Sequence, residues 1–317
     1  MDLIDRRILC ELDLNCRAPL TQVAKRLRIS RNTLAYRIKQ LENEGIITKY
    51  ICSINLGLLG YKTYKIFFKI KNDKKESEFV KYLIDSKKVI HLLKTEGNFD
   101  YSMAVAVKNI LELDDFLSNL KNDFKDFISD YFVSILVYSK IFKLNKLLLD
   151  QKQAIPKFEK YSVEDENIKI DEKDIKIIKE LSQNANLSIV ELSKKTDLSI
   201  DVVKYRLKNI STKIVNSYRI MLDFNKLGYY HYLIMLKIKN ITKNEERRLL
   251  SWCTNKNNVI YCNKRIGSYD FEVNCAIKDI DDLNKFIIEL KNEFYGVIDS
   301  YQILLNNKLL KLNYVPF

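Results

Sequence analysis

The chain has 317 residues, of which 47% are apolar and 30% are charged, so its composition excludes a disordered polypeptide and favours more than one folded domain. Lys and Arg number 54 against 41 Asp and Glu, which leaves a net charge of +13. This excess favours polyanionic partners such as nucleic acid, although an AT-rich genome that encodes many lysines would explain the charge equally well.

Metal, cofactor and membrane sites are not expected from the composition. The six cysteines form no C-x-x-C pair, and the chain has two histidines, which indicates packed, reduced thiols rather than a metal centre. The charged start MDLIDRR predicts no signal peptide, and no window approaches the roughly 18 apolar residues of a membrane span. We therefore expect a cytoplasmic protein with no membrane partner.

The first segment has the apolar spacing of three short helices. Their apolar positions are Ile4, Ile8, Leu9 and Leu12, then Leu20, Val23, Ala24 and Leu27, then Leu34, Ile38 and Leu41. Ser30 precedes the third helix, where its hydroxyl is suited to cap the helix N-terminus. Three helices of this length predict a helix-turn-helix, and the run IITKYICSI after Gly45 predicts an extended wing.

The next segment changes to the period of strands. The runs YKTYKIFFKI, VIHLLKTEG, YSMAVAV and ISDYFVSILVYS are predicted as strands. One helix is predicted at KESEFVKYLIDS after the first strand, and another around Leu113 to Phe124 after the third. The order β-α-β-β-α-β is the ferredoxin-like arrangement.

The whole pattern occurs twice in the chain. Tyr36 and Arg37 recur as Tyr205 and Arg206, 169 positions later, and Asp100 recurs as Asp270, 170 positions later. Ser30 recurs as Ser199, which is therefore also expected to cap its helix. A register maintained over this length indicates an internal duplication.

We therefore predict an α+β protein with two winged helix-turn-helix domains and two ferredoxin-like βαββαβ domains in tandem. The expected bounds are 1–52 for the first winged helix-turn-helix, 53–142 for the first ferredoxin-like domain, 143–168 for a linker, 169–221 for the second winged helix-turn-helix and 222–317 for the second ferredoxin-like domain.

These motifs resemble those of the leucine-responsive and asparagine-regulator (Lrp/AsnC, or feast/famine) family of transcription regulators. The family pattern runs from L-D-x-x-D-x-x-I-L through N-x-R and a recognition helix to a G-x-Y-D loop. The matching segments are LIDRRIL, NCR, ISRNTLAYRIKQLENEGII and GNFD, and then IDEKDIKII, NAN, LSIDVVKYRLKNI and GSYD. Family members normally carry one copy, so the tandem arrangement is a departure.

The resemblance implies sequence-specific binding of double-stranded DNA, dimerisation through the β-rich domain, and control by an amino acid or related small effector. The two repeats would form an intramolecular pseudo-dimer, and homo-oligomers are expected. Linking two recognition helices in one chain makes the second DNA contact effectively intramolecular, provided that their spacing fits a helical turn of about 34 Å.

The third helix of each repeat supplies the residues predicted to contact DNA. Its outward positions carry amides suited to adenine edges and cations suited to guanine or phosphate, although an ordinary solvated face is the alternative. The predicted contacts are Ser30, Arg31, Asn32, Thr33, Tyr36, Arg37, Lys39 and Gln40, and then Lys204, Tyr205, Arg206 and Lys208.

The two predicted recognition helices differ in the side chains that they present to DNA. Asp201 stands where the first repeat has Asn32, and Val202 stands where it has Thr33. A carboxylate at this position repels phosphate unless it accepts a hydrogen bond from a cytosine amine. Our hypothesis is that the recognition helix of the first repeat is the better suited of the two to bind specific DNA sequences.

The glycine loops carry the predicted effector residues, which are Gly97, Asp100, Gly267, Tyr269 and Asp270. The second repeat has the full family motif, whereas the first has Phe99 in place of the tyrosine. Glycine leaves backbone amides approachable and Asp can hold an α-amino group. The alternative is a plain hairpin turn in which the Asp caps its own backbone.

Two other classes of function stay open. Sirohaem decarboxylases resemble this family and occur as paired or fused two-copy chains, and His91 falls near the position of one of their histidines. The stretch LLKTEGNFDYSMAV matches the regulator loop better, so we assign no catalytic residues and expect a non-enzyme. The third class is an architectural or dimer-partner protein whose helix-turn-helix units contact protein.

Overall fold

The computed structural model describes residues 1–71, 74–149, 158–162, 168–239 and 241–317, with the backbone alone for 158–162. By its contacts the chain divides into two compact units. The first contains the described parts of 1–55, 141–159 and 169–229, and the second those of 56–140, 160–168 and 230–317. Each unit is built from both repeats, and the consecutive domain bounds expected from the sequence stay predictions. Much of the expected linker, 150–157 and 163–167, lies outside the described residues.

The elements follow one another in the same order in the two repeats. The first repeat has α1 (Leu3–Leu14), α2 (Leu20–Leu27), α3 (Arg31–Asn43), β1 (Ile47–Ile54), β2 (Lys62–Ile70), α4 (Glu76–Asp85), β3 (Val89–Glu96), β4 (Tyr101–Val107), α5 (Ile110–Phe124) and β5 (Ile128–Phe142). Between the repeats lie α6 (Asn145–Leu149) and β6 (Phe158–Ser162). The second repeat has α7 (Glu172–Gln183), α8 (Ile189–Thr196), α9 (Ile200–Lys213), β7 (Val215–Leu222), β8 (Tyr230–Ile238), α10 (Lys243–Asn255), β9 (Val259–Ile266), β10 (Phe271–Ile277), α11 (Ile280–Glu293) and β11 (Ile298–Leu312). The predicted α+β fold class is confirmed.

Side-chain caps fix where the third helix of each repeat begins. The Ser30 hydroxyl accepts a hydrogen bond of 3.0 Å from the Thr33 amide at the start of α3, and Ser199 has the same role for α9. The predicted N-caps are therefore confirmed. A cap of this kind satisfies an amide that has no partner inside the helix and is typically worth about 1 kcal/mol.

The wing strands of the first unit pair with each other. β1 and β7 form a two-stranded antiparallel sheet in which Cys52 lies opposite Tyr218. The sequence predicted an extended wing in each repeat, but it did not predict that the wings would be partners. This pairing joins the two repeats within the first unit.

A buried ion pair joins the two repeats inside the first unit. The Arg219 guanidinium on β7 contacts the Asp13 carboxylate of α1 at 2.7 Å and donates to the Phe142 carbonyl. The second carboxylate oxygen of Asp13 accepts from the Leu144 amide at 2.9 Å. Both charges are almost fully buried, so each depends on the other for stability.

In the second unit, eight described strands close into a ring. Their order is β2-β4-β3-β11-β8-β10-β9-β5, and β5 pairs back to β2. Each repeat contributes its four strands in the ferredoxin-like order, with its last strand beside its first. The closed ring leaves no open edge among these eight strands.

The last strand of each repeat is long enough to serve both halves of the ring. β11 has 15 residues: Ile298 to Leu305 pair with β8 of its own repeat, and Leu305 to Leu312 pair with β3 of the other. β5 is equally long and lies between β2 and β9. These two strands connect the ferredoxin-like halves through main-chain hydrogen bonds.

The two faces of the sheet have different chemistry. On the outer face of β2, Ile66 and Phe68 belong to a buried apolar cluster with Phe79 of α4. Alternate residues of a strand point to opposite faces, so Lys65 and Phe67 lie on the inner face. Phe67 packs with Leu233 of the other repeat, which places this inner face inside the ring.

Two observations bear on the expected absences. In the part of the chain that the structure describes, no helix is both long and apolar enough to cross a membrane. The six cysteines, Cys10, Cys16, Cys52, Cys253, Cys262 and Cys275, are all buried free thiols.

Candidate nucleic-acid interface and effector loops

The outward face of α3 is open to solvent. Leu34, Ile38 and Leu41 anchor the helix in the core, as the sequence predicted. The remaining predicted contacts lie on the exposed side, and Tyr36 keeps 63% of its surface accessible. The exposed members of the predicted set are Ser30, Arg31, Asn32, Thr33, Tyr36, Lys39 and Gln40.

Hydrogen bonds hold part of this face in place before any ligand arrives. The Gln40 amide donates to the Tyr36 hydroxyl at 2.9 Å, and the hydroxyls of Ser30 and Thr33 lie 2.8 Å apart. Side chains fixed in this way lose less conformational entropy when they bind. The face therefore combines amide, hydroxyl and aromatic groups in a preorganised arrangement.

Arg37 is occupied within its own domain. Its guanidinium contacts the Asp2 carboxylate at 2.7 Å and the Asp5 carboxylate at 2.8 Å. The Asp5 amide and the Arg37 guanidinium lower the pKa of the Asp2 carboxyl, and the two carboxylates raise the pKa of Arg37. These pairs fix α3 to the start of α1, and they reduce the charge that Arg37 offers to a phosphate.

The second reading helix, α9, repeats this geometry with different side chains. Tyr205 is 66% exposed, at the position equivalent to Tyr36, and Lys204 and Lys208 are exposed beside it. Arg206 is paired in the same way as Arg37. Its partners are Asp171 and Asp174. Asp201 is exposed at the tip, as expected, whereas Val202 is half-buried.

A lysine supports the C-terminus of α3. Gly45 follows the helix with a φ of +68°, a conformation that favours glycine. The Lys226 ammonium donates to the Glu44 carbonyl beside it, where a cation complements the helix dipole. The second repeat lacks a counterpart of Gly45, and α9 runs directly into β7 with Ile214 between them.

The two glycine loops press against the long strands of the opposite repeat. A Cβ at Gly97 would lie 2.9 Å from the Ile303 carbonyl oxygen on β11, and a Cβ at Gly267 would lie 2.9 Å from the Val133 carbonyl oxygen on β5. Both glycines also have positive φ, 128° and 146°. Glycine is therefore required here by close packing as well as by backbone conformation.

The aspartates of these loops bind the neighbouring strand. The Asp100 carboxylate accepts from the Ile70 amide at 2.8 Å, and the Asp270 carboxylate accepts from the Ile238 amide at 2.8 Å. Asp270 also contacts the Lys237 ammonium at 3.3 Å. Both aspartates cap main-chain amides, as in the plain-turn alternative, but the amides belong to β2 and β8 rather than to the loops themselves.

The aromatic residues of the two loops differ in exposure. Phe99 is buried against Phe67 and Phe132, with ring centroids 5.3 and 5.2 Å apart. Tyr269 is half-buried, and this burial raises the pKa of its phenol. Tyr269 is therefore less enclosed than Phe99, although both pack against the same apolar cluster.

Sequence reasoning missed a set of polar residues on the inner face of the ring. Lys65 is 6% exposed, and Arg265 and Glu272 form a buried ion pair at 2.8 Å. The available signal was the phase of β2, since Lys65 alternates in step with the buried Phe67. Within the described ranges, no group of three His, Cys, Asp or Glu residues is arranged to hold a metal ion.

Comparisons with known proteins agree with the repeated helix-turn-helix. The family model for winged helix-turn-helix DNA-binding domains matches residues 1–48 and 170–209. The HTH-type transcriptional regulator FL11 of Pyrococcus abyssi is 32% identical over 118 residues, which cover 37% of this chain and 78% of the relative. The HTH-type transcriptional regulator Ptr1 of Methanocaldococcus jannaschii is 31% identical over 118 residues, covering 37% of this chain and 80% of the relative.

A solved structure matches the tandem arrangement over nearly the full length. The siroheme decarboxylase NirDL superposes with a TM-score of 0.65, covering 99% of this chain and 94% of that protein. The sequence identity is 15%, so this likeness establishes a shared fold and leaves the chemistry of each site to its own residues.

Proposed function

Because this chain belongs to the Lrp/AsnC family of HTH-type transcriptional regulators, we propose that it regulates transcription by binding specific sequences in double-stranded DNA. The observation that carries the proposal is the exposed polar face of α3. A helix with its apolar side in the core and amide, hydroxyl and cationic groups outward has the chemistry that the major groove requires.

Different side chains of α3 are proposed to contact different parts of the DNA. Asn32 and Gln40 carry amides that can pair with adenine edges, while Arg31 and Lys39 contact guanine or phosphate. Neither cation pairs with a carboxylate among the described residues, so both are available to contact DNA. Arg37 is proposed to orient the helix through its two carboxylate partners.

The second reading helix is proposed to contribute mainly phosphate contacts. Lys204, Lys208 and Tyr205 are exposed and suited to the DNA backbone. Asp201 disfavours close approach to phosphate, and Val202 offers no hydrogen bond. The first repeat would then supply most of the sequence specificity, and the second would add affinity.

Selection of bound fragments from the source genome, followed by salt titration, tests the proposal. DNA binding predicts an enriched sequence and an affinity that falls steeply with salt as counterions are released. Binding that is unaffected by salt, with no enriched sequence, would favour the alternative in which these helices contact protein.

We propose an amino acid or related small molecule as effector at the second glycine loop. The support is the half-buried Tyr269 phenol and the complete family motif from Gly267 to Asp270. The Asp270 carboxylate already binds a main-chain amide and Lys237, so an effector amine would have to share it. Calorimetry with the standard amino acids checks this proposal. If none of them binds, the loop has a structural role as a turn and no effector role.

A non-enzymatic role is proposed over a sirohaem decarboxylase-like activity. The full-length likeness to NirDL shows the shared fold alone, and the segment that follows His91, LLKTEGNFDYSMAV, matches the regulator loop better than the decarboxylase pattern. Adding sirohaem to the pure protein distinguishes the two. A bound tetrapyrrole absorption band, followed by carbon dioxide release, would reverse the assignment.

Pairing of β1 with β7 and closure of the ring support an intramolecular pseudo-dimer, and we propose that pseudo-dimers associate further into homo-oligomers. Light scattering of the full chain gives the mass. A mass of one chain at working concentration would remove the second part of this proposal.

A further inference from the structure

The inner face of the strand ring gathers charged and polar side chains from both repeats. In the first repeat, Lys65 on β2 lies opposite Ser134 on one side and Ala104 on the other, and Ala104 lies opposite His91. These four residues form one row across β5, β2, β4 and β3. The second repeat contributes the ion pair between Arg265 and Glu272.

Lys65 has no salt bridge or hydrogen bond within the part of the chain that the structure describes, although it is 94% removed from solvent. Its ammonium lies 5.8 Å from the centre of the Phe67 ring. Burial lowers the pKa of Lys65 to about 8, partly offset by Glu272, so the ammonium is still largely protonated at pH 7. A buried cation without a partner is costly, and such groups commonly mark a functional site.

Three further titratable side chains, His91, His231 and Tyr261, lie on the inner face of the ring. Burial dominates the pKa of His91 and His231, which it lowers, and the pKa of Tyr261, which it raises. Each of the three nevertheless keeps part of its surface accessible. This part of the inner face is therefore less tightly enclosed than the apolar cluster around Phe67.

Several buried polar atoms face this region without a protein partner. They include the Ser102 and Ser134 hydroxyls and both side-chain polar atoms of Asn306. Ser102 is on the inner face two residues from Ala104, and Ser134 is directly opposite Lys65. Buried polar groups in native proteins nearly always have a hydrogen-bond partner, so these atoms are suited to form hydrogen bonds with a bound ligand.

The charges of the inner face select the ligand. At pH 7 the Arg265 cation and the Glu272 anion cancel, both histidines are neutral because their pKa values are lowered, and Lys65 leaves one positive charge. One anionic group would neutralise it. Apolar side chains of the same face, including Phe67, Leu233 and Met235, are suited to a small hydrocarbon part.

We propose that the inner face around Lys65 is a binding site for a small organic monocarboxylate. The carboxylate contacts the Lys65 ammonium and the hydroxyls of Ser134 and Ser102, and its hydrocarbon part lies against the apolar residues of the ring. The site adjoins the glycine loops, because Ser134 lies against Gly267 and Phe99 packs against Phe67, but its cation is on β2 and its ligand carries no amine. It needs no DNA, so its test is independent of the proposed DNA binding.

The duplication makes the site single rather than double. The position equivalent to Lys65 in the second repeat is Leu233, and the position equivalent to Ser134 is Leu304. Conversely, Thr95 and Ser102 of the first repeat are replaced by Arg265 and Glu272. The cation that needs an anion therefore occurs once, and we expect one ligand for each chain.

Isothermal titration calorimetry and thermal unfolding of the full chain at pH 7 test the site with matched probes. The probes are 4-methylpentanoate, leucine, 3-methylbutylamine, benzoate, acetate and inorganic phosphate. Leucine adds an ammonium group to the skeleton of 4-methylpentanoate, and the amine replaces the carboxylate by a cation. At least one monocarboxylate should bind with a stoichiometry near one, and the amine should not bind.

Lys65→Met removes the charge while keeping a long side chain, and Lys69→Met is its matched control. Lys69 lies on the same strand, is exposed, and changes the net charge equally. Carboxylate binding should persist in Lys69→Met and fall at least tenfold in Lys65→Met. Ser134→Ala provides a second, milder variant, for which we expect a smaller loss of affinity.

The proposal is overturned if no monocarboxylate in the panel binds the parent protein in a saturable way. It is also overturned if binding is the same in Lys65→Met and Ser134→Ala as in the parent, or if phosphate and leucine bind as well as the monocarboxylates. If Lys65→Met does not fold, Ser134→Ala and the probe series decide the question.

Discussion

Two buried charges in this chain have opposite surroundings. Asp13 has an Arg219 partner and accepts a further main-chain hydrogen bond, so its charge is compensated within the protein. Lys65 is similarly buried and has no such partner in the described residues. The first arrangement is that of a structural ion pair, whereas the second leaves a cation whose burial reduces stability.

The Arg219 pair should contribute strongly to folding. Arg219→Met leaves the Asp13 carboxylate buried without its cation, and we expect a loss of about 3 to 5 kcal/mol in the free energy of unfolding. Urea denaturation measures it. Arg26→Met is the control, because Arg26 forms a half-exposed ion pair with Glu11 that should be worth less than about 1 kcal/mol. Equal effects of the two changes would contradict this account.

Lys65 should make stability depend on alkaline pH. Its pKa falls from 10.5 to about 8 on folding, so between these values the unfolded chain holds a proton that the folded chain has released. The free energy of unfolding of the parent should therefore rise relative to Lys65→Met from pH 8 to 10.5, by up to about 3 kcal/mol.

Below pH 8 both states keep the Lys65 proton, so the destabilisation is fully present and the difference between the two proteins should be constant. The neighbouring groups Arg265, Glu272, His91 and His231 are common to both and largely cancel in the comparison. A difference that does not change between pH 8 and 10.5 would show that Lys65 titrates normally.

At the scale of elements, local signals predicted the segments but not their partners. Ser30 and Ser199 marked the helix starts because capping depends on residues a few positions apart. The pairing of β1 with β7 and of β11 with β3 joins residues more than 160 positions apart. Alternation within one strand carries no information about such a neighbour, so these contacts appeared only in the structure.

The glycine loops should be sensitive where they meet the long strands. Gly97→Ala places a Cβ 2.9 Å from the Ile303 carbonyl oxygen at a positive φ, and we expect a loss of about 2 kcal/mol or more in stability. Gly296→Ala has a positive φ of 76° but open space around the Cβ, so its loss should be closer to about 1 kcal/mol. Thermal unfolding of the two variants checks this order, and a reversal would show that the loop yields easily.

At the scale of the whole molecule, duplication produced two copies of each domain whose residues have since diverged. The reading helices share exposed tyrosines but differ at Asn32 and Asp201, and the ring interior has one Lys65 and no second copy. The sequence alone revealed the first difference because the helix face was predictable. It did not reveal the second, because the inner face depends on which strands close the ring.

If the exposed face of α3 contacts DNA bases, changing its side chains should weaken DNA binding. Fluorescence anisotropy on a fragment selected from the genome compares the parent with Asn32→Ala/Tyr36→Ala and with the matched Val202→Ala/Tyr205→Ala. Loss of a good base contact costs about 1 to 3 kcal/mol, so the first variant should bind at least tenfold more weakly, and the second should lose less. Binding of Asn32→Ala/Tyr36→Ala that equals that of the parent would contradict the account.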